Sequence, residues 1–505
     1  MDQINVQLAS KNECLVKKEH SYLLICALIL GLLFDFLFFG KPLGLSYPLY
    51  IIALYTVLFW NMRNSEQLKI DTNLLLGIPI IALSFTYLIY SNQIFEVLNF
   101  LVIPILLVAH TLLLTSNNRF KWFESQFLVE VLLGMVARPL ANSLKPIYLI
   151  SKFVKRGAIP GKFRVVSKIL TGLLIAIALL IVIVPLLASA DDVFRRLVEQ
   201  IPDVFKGISI NEFVARLIIV TVVTCLVFSY LWSLFSSKTR LNETVADNDS
   251  LHKSRAFLDP ITVTTMLVLI DLLYAFFIAI QFSYLFGSLR YGLPQDFTYA
   301  QYARKGFFEL VAITIINLMI LLGNMNFIKF AGGKIDKVVR SLNTALVVST
   351  FIMLLSAHFR MSLYEEVFGF TYLRVLTHAF MVYLFVLFAV TLGKVWQKSR
   401  HLLKSYLVIS IVAYTLINYI NVDSIIVKNN IERYNKGNPI DIQYLTTLSY
   451  EVVPRLVELE KSTPDQVLAN KLEEGLTNKK QALEKVKPWQ SFNISMFRAK
   501  KFLSQ

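Results

Sequence analysis

Cysteine, histidine and charge are all scarce in this chain of 505 residues. Cys14, Cys26 and Cys225 lie far apart, two of them inside apolar runs, which leaves no disulfide framework and no paired-cysteine metal site. His20, His110, His252, His358, His378 and His401 stand singly, none at the i, i+4 spacing that puts two ligands on one helix face, so no metal site is expected. The glycine-rich turns of nucleotide loops, the HExxH of zincins and the GxSxG elbow of hydrolases are all missing. No catalytic motif is found and no cofactor is expected. Charged residues make up 17%, where a soluble domain carries about 25%. With 56% hydrophobic residues and a mean hydropathy of +0.59, that scarcity excludes a soluble enzyme and a disordered chain.

What is present is apolar sequence in span-sized blocks. Eleven stretches approach the roughly 20 residues that a bilayer core requires: 21–39, 45–61, 73–90, 94–115, 165–187, 211–235, 261–287, 303–327, 341–359, 371–393 and 402–420. The expected fold is an all-α polytopic transmembrane bundle with a small helical C-terminal tail. Its parts are an N-terminal segment (1–20), four spans (21–115), a basic segment (116–164), a seven-span main bundle (165–420) and the tail (421–505). The run 122–137 contains Glu130 and ends at Arg138-Pro139, so an interfacial or re-entrant helix is expected there, with a twelfth span as the alternative.

Alternate connections differ in charge. With the N-terminus inside, the cytoplasmic segments hold 27 Lys and Arg and the outer connections before the tail hold 8. This positive-inside pattern predicts a cytoplasmic N-terminus and an outer tail. It also accounts for the net charge of +16 through anionic lipid at the cytoplasmic face, not nucleic acid. In the 116–168 segment, ten basic residues beside Trp122, Phe123, Phe127 and Leu128 should lie on that leaflet. Residues 191–206 alternate as an amphipathic helix on the outer surface, capped by Ser189 or Asp191. In the tail, Thr463-Pro464-Asp465-Gln466 reads as a capping box and Gly475 as the end of that helix. The tail is too thin in apolar residues for a large core of its own, and its last helix, with Trp489 and Phe497, could fold back onto lipid.

Ionisable residues gather at the outer ends of the later spans. Arg304, Lys305 and Glu309 open span eight. His358 and Arg360 close span nine, with Glu365 and Glu366 in the connection that follows, and Thr371 caps span ten ahead of Arg374 and His378. Asn421, Asp423, Arg433 and Asp441 follow span eleven. Asp271, the deepest acid, has Asn317 of span eight as its expected partner; a proton relay would need further groups at that depth. Glu309 and Arg374 are expected to face each other in a compact bundle.

These positions carry a resemblance. Ser189-Ala190-Asp191 with Phe194, Tyr302-Ala303-Arg304 with Gly306-Phe307 and Glu309-Leu310, and Arg360-Met361 with Leu363-Tyr364 are its first part. Gly369, Thr371, Arg374, Asn421, Asp423, Arg433, Asp441 and Tyr444-Leu445 complete it. From about Leu180 to Glu460 the chain resembles a family of uncharacterised bacterial multi-pass membrane proteins, a domain of unknown function. The resemblance implies a membrane address and a bacterial source, but no activity. The leading functional expectation is a sensor or scaffold. It would bind an anionic envelope component or a membrane protein partner through Asp191, Arg304, Glu309, Arg360, Arg374, His378 and Asp423. A solute transporter and a lipid-linked transferase with an outer-face carboxylate are the alternatives.

Overall fold

The computed structural model describes residues 18–63, 72–143, 210–236, 258–287, 307–328, 333–397, 402–485 and 487–504, with single positions between 145 and 191. Among these residues the regular structure is helical, apart from one bridge between Leu258 and Ile328. The part before the tail opens with α1 (Lys18–Phe38), α2 (Ser46–Met62), α3 (Gly77–Ile89, entered through a 3-10 turn), α4 (Gln93–Leu114) and α5 (Ser125–Ala141). After them come α6 (Ile210–Ser236), α7 (Pro260–Gly287), α8 (Phe307–Phe327), α9 (Lys334–Phe368), α10 (Tyr372–Trp396) and α11 (Leu402–Tyr419). Among the described residues, seven helices, α4 and α6–α11, are long and apolar enough to cross a membrane, while α1 and α3 are shorter apolar helices. The run 165–187 and the amphipathic stretch 191–206 fall mostly outside the described residues.

Three cores organise the chain. In the first, α1–α6 pack around Leu58, Leu83, Ile103 and Phe228. Gly31 brings α1 against α6: a Cβ there would stand 2.2 Å from Thr224 Oγ1, the close approach that small residues allow between apolar helices. The second core, α7–α11, closes around Leu267, Leu346, Met381 and Phe388. Asn99 on α4 ties the two together, donating to Thr86 Oγ1 (3.0 Å) and Asn418 Oδ1 (2.7 Å) and accepting from Tyr414 (2.7 Å).

The helix expected at the interface packs differently from expectation in one respect. α5 has seventeen residues and lies across the C-terminal ends of α4 and α6, with Arg119 N–H bonded to Glu130 and Asn142 N–H to Ser229 Oγ. Phe127, expected against lipid, is buried with Val131 in the first core; Leu128, Leu132, Leu133 and Val136 take the exposed side.

The tail forms the third core, larger than its composition suggested. Its helices are α12 (Val422–Asn435), α13 (Ile442–Thr447), α14 (Val453–Ser462), α15 (Gln466–Glu484) and α16 (Ile494–Leu503). Each contributes one apolar stripe, and together Ile426, Leu445, Leu456, Leu472 and Ala499 close around Phe95 of α4. α15 is capped by Asp465, whose Oδ1 accepts from Val467 and Leu468 N–H, and not by Thr463. Gly475 lies inside α15, where it admits α13: a Cβ there would meet Thr446 Cγ2 at 2.4 Å. Gly475→Ala is therefore expected to destabilise the tail by about 1–3 kcal/mol through overpacking, although alanine is the better helix former. Faster proteolysis of the tail in detergent would register that loss.

The tail packs on one end of the bundle. Leu45 N–H bonds Phe492 O (3.0 Å) at the α1–α2 turn. Asn493 donates to Tyr87 O (2.9 Å) and Tyr90 O (2.6 Å) beside the α3–α4 turn. Asn430 brackets Phe370 at the α9–α10 corner. At the other end, Lys404 lies over the Trp122 ring and Trp396 bonds Thr344.

Candidate functional site

α9 is longer than a span. It runs unbroken to Phe368, because no glycine or proline occurs between Lys334 and Gly369 except beyond its ends. The residues expected in a loop after span nine therefore stand on a helix. His358 and Glu365, seven residues apart, share a face.

That face meets α10 at His378. His378 Nε2 is 2.9 Å from Glu365 Oε2, and His378 Nδ1 is 2.8 Å from His358 Nδ1. With Glu365 accepting as a carboxylate and His378 neutral, the proton of His378 stands on Nε2, and His378 Nδ1 accepts from His358 Nδ1–H. In that arrangement His358 Nε2 is the nitrogen with an open lone pair. Glu365 is 3% exposed, and its Oε1 has no hydrogen-bond partner. The group borders a cavity of about 440 Å³ lined by His358, Ser362, Glu365, Glu366, Phe370, His378, Asn429, Glu432, Arg433 and Lys436. Among the described residues, no group of His, Cys, Asp and Glu is arranged to hold a metal ion.

The cavity roof is the α9–α10 corner locked by the tail. Gly369 turns the chain at φ 82°, and Arg433 donates from Nε to Glu366 O and from Nη2 to Val367 O, both at 2.9 Å. Asn430 exchanges bonds with Phe370, and Tyr372 N–H donates to the Tyr444 hydroxyl (2.8 Å). Tyr444 thus does the capping expected of Thr371, whose side chain makes no cap bond. Arg374 bonds Gly369 O and covers the Tyr364 ring at 4.4 Å.

A second cluster pins the tail to the α3–α4 turn. Asp423, 2% exposed, accepts from Asn92 Nδ2 (2.8 Å) and from the Ser449 hydroxyl, while Ser91 N–H donates to Glu451 (2.5 Å). Burial pushes the Asp423 carboxyl above its ordinary value, with nearby Glu451 adding to the effect and the Ser449 and Asn92 bonds opposing it. Burial also lowers the Lys479 ammonium, which donates to Leu448 O. A cavity of about 20 Å³, room for one water, separates Asp423, Glu451 and Glu96.

The residues singled out in the sequence are thus divided. His378 borders the large cavity, Arg374 braces its corner, and Asp423 belongs to the tail anchor. Arg360 is half-buried on α9; Asp191 and Glu309 are exposed; Arg304 lies outside the described residues. The expected Glu309–Arg374 pair does not form, since Arg374 spends its guanidinium on Gly369 and Tyr364. Asn421 and Asp441 are helix caps. His358 and Glu365 were absent from the expected site, yet their seven-residue spacing on an uninterrupted helix was the available signal. Nothing in the sequence pointed to Asn92, Asn430 or Ser449, which act only through distant partners.

The model of a family described as Domain of unknown function (DUF4153) matches residues 77–459. No curated protein and no solved structure matches the chain.

Proposed function

The chain belongs to the family described as Domain of unknown function (DUF4153), and from that premise we propose that it is an integral membrane sensor or scaffold whose ligand site is the cavity between α9, α10 and α12. The observation that carries this reading is the unpartnered, buried Glu365 Oε1 beside a cavity of about 440 Å³. A buried acceptor without a donor is costly, and a ligand hydroxyl or amino group would satisfy it. Lys436 and His358 offer a place for an anionic group on the same molecule. Arg374 and Arg433 are committed elsewhere, because both bond main-chain carbonyls. The ligand is therefore a hydroxyl-bearing, acidic component of the bacterial envelope.

This reading puts the tail end outside and the basic end in the cytoplasm, in line with 27 basic residues against 8 in the outer connections before the tail. In a background without native cysteines, Ser462→Cys is expected to react with an impermeant maleimide in intact cells and Ser250→Cys is not. The reverse pattern overturns the orientation.

Glucuronate, which combines hydroxyls with a carboxylate, is the first probe of the site. It is expected to raise the thermal transition of the purified protein saturably, and glucose or acetate alone to do so less. Glu365→Gln, which puts an amide where the carboxylate stands, should abolish the shift while leaving tail proteolysis unchanged. A shift that survives Glu365→Gln, or no shift with glucuronate, sinks this assignment.

The Glu365–His378–His358 chain also supports the transferase alternative, as a base that takes a proton from a bound hydroxyl at His358 Nε2.

A further inference from the structure

α7 carries one charged residue, Asp271, about three turns in from Pro260 and so near the middle of a bilayer. Asn317, its expected partner, is taken: it accepts from the Tyr274 hydroxyl (2.8 Å) and donates to Thr350 Oγ1 (2.9 Å). Both carboxylate oxygens of Asp271 are buried and make no hydrogen bond.

No cation stands near its level on the packed helices. α7 has no other charged residue, α8 has only Glu309 in its first turn, and α9 has none between Arg340 and His358. With Thr350 marking the level on α9, Arg340 and His358 are each about two turns or more away. Tyr274 is the one titratable neighbour facing Asp271 from these three helices. An ionised carboxylate in that setting has neither a counter-charge nor water. Nor does the fold draw on the group, since it bonds nothing.

We propose that Asp271 is a reversible proton-binding site of the α7–α9 layer, neutral in the resting protein and discharged when water reaches it. Polar stations lead from it toward the tail end. The Tyr274–Asn317–Thr350 rung lies about one turn away, and the Gln281–Ser356 pair (2.5 Å) follows, with Gln281 Oε1 unpartnered. His358 stands beyond Ser356 on α9. The ligand of this site is the proton, distinct from the ligand of the tail-end cavity, and the two assignments stand or fall separately.

Two measurements on the full chain in lipid vesicles test it. The first is infrared difference spectroscopy of the wild type against Asp271→Asn. A neutral-carboxyl carbonyl band should be present at neutral pH, absent in the variant, and lost reversibly as the pH is raised. The second needs no variant. The carboxyl O–H of Asp271 adds across a C=N bond of dicyclohexylcarbodiimide, and the acyl group then shifts to nitrogen, so the peptide gains the whole reagent with no leaving group. That adduct should form at neutral pH and more slowly as pH rises. A missing band with no adduct, a band or labelling rate that ignores pH, or a signal displaced by sodium instead of by pH each overturns the proposal.

Discussion

Replacing Arg433 by alanine is expected to release the tail from the α9–α10 corner. Arg433 is 7% exposed and gives two charge-assisted hydrogen bonds to Glu366 O and Val367 O, carbonyls that the end of α9 leaves without helical partners. Hydrogen bonds to a charged group contribute about 1.5–3 kcal/mol each, so the loss is on the order of 3 kcal/mol or more. Arg433→Lys should recover little, because one ammonium cannot span two carbonyls as a planar fork does. Gly369→Ala attacks the same corner from the other side. Its φ of 82° disfavours a side chain, and a Cβ would lie 2.6 Å from Asn430 Oδ1 and 2.8 Å from Arg433 Nη1. Both variants should lower the thermal transition in detergent and expose the tail to protease. Combined, they should cost less than the sum, because they break one contact. Simple additivity would mean that the corner and the tail are held independently.

The second large effect is expected at Asp423, where pH is the informative variable. Burial raises its carboxyl above the ordinary aspartate value of 3.8. A group whose pKa is raised in the folded state stabilises fully below its unfolded value, and that contribution is lost as pH rises through the folded value. Tail attachment in the wild type should therefore weaken as pH climbs from the acid side toward neutrality. Glu451 and the tyrosines Tyr372 and Tyr444 face the same carboxyl, and Lys479 is the nearby cation. Asp423→Asn should flatten this slope while keeping acceptors for Asn92 and Ser449. Asp423→Ala removes the acceptor of the half-buried Ser449 hydroxyl and leaves Asn92 only the Tyr372 hydroxyl, at about 1–3 kcal/mol in all, and should loosen the tail at every pH. Proteolysis of the tail across the pH range separates the three proteins. An Asp423→Asn slope identical to that of the wild type would assign the pH response to Glu451.

Much of the molecule was legible from one dimension. Apolar run length determined the all-α class and the positions of the described spans, because every backbone polar group in hydrocarbon must be satisfied within its own helix. Caps were less legible: Asn421 and Asp441, read with the outer cluster, cap α12 and α13, whereas the caps expected at Thr371 and Thr463 fall to Tyr444 and Asp465. The family resemblance picked out Gly369, Arg374, Asp423, Arg433 and Tyr444 as a set, but not what unites them. Only the tertiary structure decided that. These residues meet where the tail grips two turns of the bundle, and their partners lie as far apart in sequence as Asn92 and Asp423. Helix rotation was equally out of reach, so Asp271 and Asn317 were paired on paper whereas in the fold Tyr274 and Thr350 occupy Asn317. His358, Glu365 and His378 became one hydrogen-bonded chain for a related reason: the seven-residue spacing fixes a shared face on α9, but only the packing of α10 brings His378 within 3 Å of both. Sequence spacing sets which side chains share a surface of one helix, and the free energy of packing many helices together sets which surfaces touch.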